Sequence, residues 1–177
     1  MTKTHIASPP HVGSLVVLLR YCESKVRERL QPLLDQAQLT PEQWRIMALL
    51  HDHPGLGAGA VAHGAVLPSA SVTRHVDKLV ERGIVIRRID PTDKRRVVLA
   101  LSPRGTQLAR PILAEEHAVE AGIAAGLGNT RFQAFARDLG LLPSVLGDPA
   151  GLVSTSDAVG TSVPGRPAAD PTTKGPA

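Results

Sequence analysis

The 177-residue sequence predicts a mainly α-helical domain with one small β-hairpin. Apolar residues recur at helical spacing along most of residues 12–146. Two short runs rich in β-branched residues, 84–89 and Val97–Leu101, bracket a polar turn that contains Pro91. A clear helical pattern over residues 69–82 directly precedes this hairpin, so the strands are expected as a local addition to a helical scaffold.

The first two helices have different start and stop signals. Residues 12–34 are predicted to form a helix with Pro32 kinking or ending it, because proline lacks the backbone donor. Thr40 and Gln43 flank Pro41 in a T-x-x-Q capping box, which predicts the start of the second helix. The apolar side of the first helix consists of Leu15, Leu18, Leu19, Cys22, Val26, Leu30, Leu33 and Leu34. That of the second consists of Trp44, Met47, Ala48 and Leu50.

The next two helices lie just before the hairpin. Residues 56–64 predict a short helix in which each of three glycines costs about 1 kcal/mol relative to alanine, so tertiary packing must hold it. Residues 69–82 predict a stronger helix, with Ser69 as its cap and Gly83 as the left-handed residue that ends it. The buried stripe predicted for this helix consists of Val72, Val76, Leu79 and Val80.

Two helices are predicted after the hairpin, within residues 103–146. Ser102 and Pro103 start a long helix towards Gly126, and Pro111 is expected to kink it. Asn129 is expected to cap the last helix. Its apolar face consists of Phe132, Phe135, Ala136, Leu139 and Leu142.

Composition excludes several classes of protein. No run of eighteen apolar residues predicts a membrane span, and the first residues lack the pattern of a secretory signal. The single cysteine, Cys22, cannot form an internal disulfide, which fits a cytoplasmic protein. Residues 1–11 predict a flexible arm. Residues 147–177, almost without large apolar side chains, predict a disordered tail.

Positive charge is concentrated around the hairpin. Residues 69–104 carry nine basic and four acidic side chains, and this local surplus exceeds the formal net charge of +4 for the whole chain. Three helices followed by a two-stranded hairpin make a winged helix-turn-helix domain over residues 40–102, in which the basic helix and the basic turn suit adjacent grooves of duplex DNA. Double-stranded DNA is therefore the predicted partner.

Particular side chains are predicted to contact DNA. The outward face of the 69–82 helix has small residues first and longer cations beyond, which suits a major groove about 12 Å wide. Its predicted contacts are Ser69, Ser71, Thr73, Arg74, His75 and Lys78, with Arg74 placed to read a guanine edge. At the hairpin turn, Lys94, Arg95 and Arg96 are predicted to serve the minor groove and the backbone. Asp93 is expected to orient Arg95 or to tie down the turn.

Two runs resemble the MarR family of bacterial transcription regulators: S-x-S-V-T-R-x-V-D-K-L-x-x-R-G-I-V-x-R-R from Ser69 and D-P-T-D-K-R-R-V-V-L-A-L-S-P-R-G from Asp90. The resemblance extends over about residues 12–146 and includes the D-x-R signature at Asp93–Arg95. The usual Leu-Thr at the end of the wing is replaced by Leu101-Ser102. The resemblance implies a dimer with intertwined helices at 12–34 and 103–146, bound to a pseudo-palindromic operator. Many such proteins are repressors released by a phenolic or anionic ligand or by oxidation.

Further expectations follow from this resemblance and from the residues themselves. The apolar terminal helices need a partner surface, and a homodimer supplies one. By resemblance and polarity, the candidates for binding a small aromatic or anionic effector are His11, Arg20, Tyr21 and Trp44. Trp44 also lies on the apolar face of its helix, where it is expected to anchor the core. No cofactor is implied.

The sequence also allows two alternative functions, an oxidant-sensing regulator and a protein-interaction module. Cys22 allows an oxidant-sensing regulator, although Tyr21 precedes it directly, unlike the tyrosine of the family's hydroperoxide-sensing branch. Its position on the apolar stripe predicts a buried, inert thiol. A winged helix can also serve as a protein-interaction module without specific DNA binding, in which case steep salt dependence would be absent. The histidines lack metal-ligand spacing, and no catalytic motif predicts an enzyme.

Overall fold

The computed structural model describes residues 13–147, in which six helices and one antiparallel pair of strands follow in the predicted order. The predicted arm at 1–11, with His11, and the tail from residue 148 lie outside the described residues. The helices are α1 (Leu15–Gln36), α2 (Pro41–Asp52), α3 (Ala58–Gly64), α4 (Ser69–Glu81), α5 (Pro103–Leu127) and α6 (Asn129–Val145), and the strands are β1 (Val85–Ile89) and β2 (Val97–Leu101).

Helices α1 and α5 each accommodate an internal proline. Helix α1 runs through Pro32 and continues to Gln36, so of the two effects predicted for Pro32, a kink or an end, the end is wrong. Helix α5 likewise continues past Pro111. Each proline is on the exposed side of its helix, where water can replace the missing backbone donor. Leu30 and Leu34, on either side of Pro32, are buried and hold α1 against the core.

Two predicted helix caps are displaced by one residue. Helix α4 begins at Ser69 itself and has Pro68 as its cap, with the serine hydroxyl making no capping hydrogen bond. Pro68 has a φ of −58° and a ψ of 137°, so the extended backbone required before the helix falls on the proline. Helix α6 also begins at Asn129, directly after the left-handed Gly128. The capping box of Thr40 and Gln43, by contrast, is formed as predicted.

Three helices end with the same backbone motif. After α1, α3 and α4, the left-handed residue is Gln38, Val66 and Gly83, respectively. In each case its amide and the next amide donate to carbonyls of the last helical turn, the pattern of a Schellman cap. Only the third of these ends was predicted, because only there does a glycine mark the position.

The core consists of α1 to α5 packed around the base of the hairpin. Trp44, Ile46, Met47 and Leu50 of α2 are buried at its centre. Val72, Val76 and Leu79 of α4 are buried and Val80 packs beside them, which confirms the predicted stripe. Burial of these faces supplies most of the stabilisation, at roughly 1.5–3 kcal/mol for each large apolar side chain.

The hairpin strands pair antiparallel, with Val85 opposite Leu101 and Ile89 opposite Val97. Leu56 adds a short bridge on the other edge of β2, where the amide of Leu99 donates to its carbonyl at 2.8 Å. The segment before α3 therefore attaches the helix-turn-helix to the hairpin. No local pattern predicts this pairing, since the two segments are more than forty residues apart.

Large apolar side chains remain exposed at both ends of the described region. The first turns of α1 expose Leu15, Val16 and Val17, and no residue of α6 is buried. The chain divides after Leu139 into two units, and the short described part of the second, residues 140–147, exposes Leu141, Val145 and Leu146. No described helix is long and apolar enough to cross a membrane.

Candidate nucleic-acid interface and ligand cleft

Helix α4 exposes two cations, which have no ion-pair partner among the described residues, on the face opposite its buried stripe. Arg74 and Lys78 are exposed, and neither forms an ion pair within the described residues. Ser69 and Thr73 are exposed on the same helix, where the Thr73 hydroxyl donates to the Ser69 carbonyl at 3.3 Å, and Ser71 is half-buried. This face therefore combines short polar side chains near the start of the helix with long cations in its later turns.

Other cations of this basic region are engaged in structural contacts. Arg82 donates to the carbonyls of Ala37 and Gln38 at the end of α1. Arg87 of β1 forms a salt bridge with Asp77 of α4 and so ties the hairpin to that helix. The formal charge of residues 69–104 thus overstates the number of cations available to a partner.

The hairpin turn is ordered by two aspartates. Asp93 accepts the backbone amide of Arg95 at 3.0 Å, and its own carbonyl accepts the amide of Arg96 at 2.9 Å. Asp93 therefore ties down the turn, one of the two roles expected of it. Asp90 accepts the amide and the hydroxyl of Thr92, and these hydrogen bonds are the main reason that the pKa of Asp90 is lowered.

Three basic side chains at the turn have different surroundings. Lys94 and Arg95 are exposed and have no ion pair among the described residues. Arg96 instead approaches Asp90, with Nη1 3.8 Å from the carboxylate, and its guanidinium lies over Gly57, where an added Cβ would be 3.4 Å from Nε. Arg96 is thus drawn towards the helical body, whereas Lys94 and Arg95 extend from the turn.

His75 differs from its predicted neighbours on α4. It is half-buried, and its Nδ1 is buried without a hydrogen-bond partner among the described residues. Burial lowers the pKa of His75, and the positive charge of Arg74 lowers it further, while Glu42 of α2 opposes the shift. The lowered pKa favours the neutral imidazole over the cation, so His75 is a weaker source of positive charge than Arg74 and Lys78.

A cleft of about 610 Å³ lies between α1 and α2, with one residue of α5 in its wall. Arg20 and Trp44, both predicted as effector-binding residues, are in its lining. The remaining lining residues are Glu23, Val26, Arg27, Leu30, Leu34, Pro41, Glu42, Arg45 and Glu116. Three arginines and an indole edge therefore share the cavity with three carboxylates and an aliphatic floor.

Glu116 is the least predictable member of this cleft. Its Oε1 accepts the indole N–H of Trp44 at 2.7 Å, although the two residues are separated by 72 positions. Burial raises the pKa of Glu116, and the hydrogen bond from Trp44 opposes that shift. Trp44 is itself buried, so the expectation that it anchors the core is confirmed, while its polar edge reaches the cleft.

Tyr21 and Cys22 lie elsewhere on α1. The Tyr21 ring is 5.5 Å from Nζ of Lys25 and lines a shallow depression with Arg20 and Arg27 instead of the cleft. Cys22 is exposed, so the prediction of a buried thiol is wrong for the single chain. The physical reason is that no element within residues 13–147 packs over the apolar stripe of the first half of α1.

Comparisons with known proteins agree with this arrangement. The family model described as MarR family matches residues 39–97, which run from the start of α2 to the start of β2. The chain is 34% identical over 100 residues to the HTH-type transcriptional regulator FarR of Neisseria gonorrhoeae, covering 56% of this chain and 68% of FarR. It is 25% identical over 95 residues to the homoprotocatechuate degradative operon repressor of Escherichia coli, covering 54% and 64% of the two chains.

A solved structure extends the similarity beyond the central domain. The crystal structure of NadR in complex with 4-hydroxyphenylacetate superposes with a TM-score of 0.70 at 26% identity, covering 79% of this chain and 99% of that chain. The structural similarity therefore extends well beyond residues 39–97. With these similarities, the chain belongs to the MarR family of transcription regulators, which bind DNA.

Proposed function

We propose that this protein is a dimeric repressor that binds a pseudo-palindromic operator and is released by a small aromatic or anionic ligand. The observation that carries the proposal is the division of cations around the hairpin. Arg74, Lys78, Lys94 and Arg95 are exposed and unpaired among the described residues, whereas Arg82, Arg87 and Arg96 are held by protein groups. Arg88 and Arg104 are also exposed without an ion pair among the described residues, but the first four cations lie on the helix and the projecting turn that suit the two grooves of DNA.

Within this proposal α4 enters the major groove. Arg74 reads a guanine edge, and Lys78 contacts phosphate or a base edge. Ser69, Ser71 and Thr73 supply short hydroxyl contacts near the start of the helix. His75, which is half-buried and has a lowered pKa, is a weaker candidate than the residues around it.

The hairpin turn lies along the adjacent minor groove. Arg95 inserts there and Lys94 contacts the backbone, with the turn held in shape by Asp93. Arg96 contributes mainly through its charge, because its guanidinium is drawn towards Asp90 and Gly57.

A second copy of the chain covers the exposed apolar ends. Leu15, Val16 and Val17 on α1 and Phe135 on α6 are each at least half exposed, and such surface favours association. The dimer sets two α4 helices about one turn of DNA apart. It also buries the face of α1 that carries Cys22.

The cleft is the proposed ligand site. The structure of NadR holds 4-hydroxyphenylacetate, a ligand with one aromatic ring and one carboxylate. In the present chain, Arg20 offers a cationic partner for an anionic group, whereas Arg27 and Arg45 are paired with Glu23 and Glu42. Trp44 and Leu30 offer apolar contact for a ring.

Titration of DNA from the chain's own upstream region against random DNA, at several salt concentrations, tests the operator proposal. Arg74→Ala should lower the preference for the operator, and Arg95→Ala should weaken binding by about 1–3 kcal/mol. Arg110→Ala, which removes an exposed arginine of α5, is the matched charge control and should change little. Equal affinity of all three variants and weak salt dependence would indicate a protein-interaction module instead.

Fluorescence of Trp44, the single tryptophan of the chain, tests the ligand site. Addition of 4-hydroxyphenylacetate as a probe should change the emission of the wild-type protein and lower its operator affinity. Arg20→Ala should weaken the response, whereas Arg110→Ala should preserve it. A response that is the same in Arg20→Ala and wild type would place the ligand elsewhere.

A further inference from the structure

The end of α4 is joined to two other helices by three consecutive residues. Arg82 donates from Nη1 to the Gln38 carbonyl at 2.6 Å and from Nη2 to the Ala37 carbonyl at 2.8 Å. The next carbonyl, that of Gly83, accepts the hydroxyl of Ser102, which caps α5, at 2.6 Å. The carbonyl of Ile84 then lies directly against Gly105 of α5. Residues 82–84 therefore form a junction between α4, α1 and α5.

The arginine of this junction is suited to its position. The carbonyls at the end of a helix carry partial negative charge, so a cation placed there is stabilising. The planar guanidinium presents parallel donors that match two neighbouring carbonyls, which the single ammonium of lysine cannot match as well. Gln38, at a φ of 52°, turns its carbonyl into this site as part of the backbone motif that ends α1.

The junction also differs in kind from the DNA-facing cations. Arg82 is half-buried and points to protein carbonyls, whereas Arg74 and Lys78 of the same helix are exposed. We propose that Arg82 is a positioning residue for DNA recognition, which fixes the angle of α4 relative to α1 without contacting DNA. This inference rests on the proposed operator binding, and it adds a residue that determines how well α4 fits its site.

Three variants of the full-length protein test this role. Arg82→Ala removes both hydrogen bonds, Arg82→Lys keeps the charge with a poorer donor geometry, and Arg110→Ala removes an equal charge elsewhere. Hydrogen exchange without DNA should be faster in α4 and around residues 37–39 for Arg82→Ala only. Its operator affinity should fall by about 2- to 30-fold, the range found for residues that couple two elements. Affinity for random DNA and the salt slope should stay unchanged, and Arg82→Lys should recover part of the loss.

Other outcomes would overturn the proposal. An equal loss for operator and random DNA with a shallower salt slope would mean that Arg82 contacts phosphate. A lower melting temperature with unchanged operator preference would mean that it only stabilises the fold. If the wild-type protein prefers no sequence, the repressor function fails. Hydrogen exchange without DNA still tests whether Arg82 links α4 to α1. Identical exchange in Arg82→Ala and Arg110→Ala would refute that link.

Discussion

Gly105 offers a sharp test of the junction, because the backbone of Ile84, directly before β1, lies where its side chain would be. A Cβ added to Gly105 would lie 2.1 Å from the carbonyl oxygen of Ile84 and 3.1 Å from the carbonyl carbon. An ordinary carbon–oxygen contact is longer by about an ångström, so α5 and the start of β1 would have to separate by that much. Neither side relaxes easily, since Gly105 also donates its amide to the Ser102 hydroxyl at 2.9 Å.

The expected loss of stability in Gly105→Ala is the difference between two opposing contributions. Gly→Ala within a helix gains about 1 kcal/mol from propensity, whereas overpacking against backbone costs about 3 kcal/mol at the upper end of its usual range. Gly105→Ala should therefore destabilise the protein by roughly 2 kcal/mol, which corresponds to about 4–8 °C in melting temperature for a chain of this size.

Gly122→Ala in the same helix is the matched control. Nothing lies within 4 Å of the Cβ that it would add, so this variant should be neutral or slightly more stable. Chemical unfolding of both variants at equal protein concentration measures the difference. A Gly105→Ala protein as stable as Gly122→Ala would refute the close approach of α5 to Ile84.

Three further predictions address strain, pH and the cap of α5. Val66 has a φ of 53° in the turn between α3 and α4 and is 75% exposed, so Val66→Gly should stabilise the fold by about 1 kcal/mol; Val66→Ala, which keeps a Cβ, should not match it in thermal unfolding. Because burial raises the pKa of Glu116, its contribution to stability is present below the pKa of the unfolded chain and is lost as pH rises through the folded value. Glu116→Gln should therefore be more stable than wild type near pH 7 and equal to it in acid, as measured by unfolding across pH; a constant difference at all pH values would contradict the assignment. Ser102→Ala removes the hydrogen bonds to Gly105 and Gly83 and should cost about 1–2 kcal/mol, whereas Thr106→Ala, one turn later, should cost less; equal losses would argue against the cap.

Local sequence signals were sufficient where the structure depends on near neighbours. The capping box at Thr40, the glycine that ends α4 and the stripe of Val72, Val76 and Leu79 all follow from residues within a few positions of one another. The hairpin was predictable for the same reason, since its strands are joined by a short turn whose aspartates bond to the next residues. These are the features that identify the winged helix-turn-helix.

Local signals were insufficient where contacts outweigh propensity. Proline within α1 and a left-handed valine after α3 contradict residue preferences, and packing of the surrounding helices compensates for both. The predicted apolar stripe of α1 is largely buried in the second half of the helix and largely exposed in the first half. Leu30 and Leu34 are buried, whereas Leu15 and Cys22 are exposed, because burial requires a facing element and the described part of the chain supplies none to the first turns of α1.

The sequence by itself determined the class of the domain and the presence of a basic helix followed by a basic turn. It could not determine which cations are free, because the partners of Arg82 and Arg87 lie ten to forty-five positions away. It likewise could not place Glu116 beside Trp44, 72 positions apart. Charge and helical periodicity are local properties of a chain, whereas pairing and burial depend on which distant segments the core brings together. Tertiary structure alone therefore decided which basic residues face outward and which residues line the cleft.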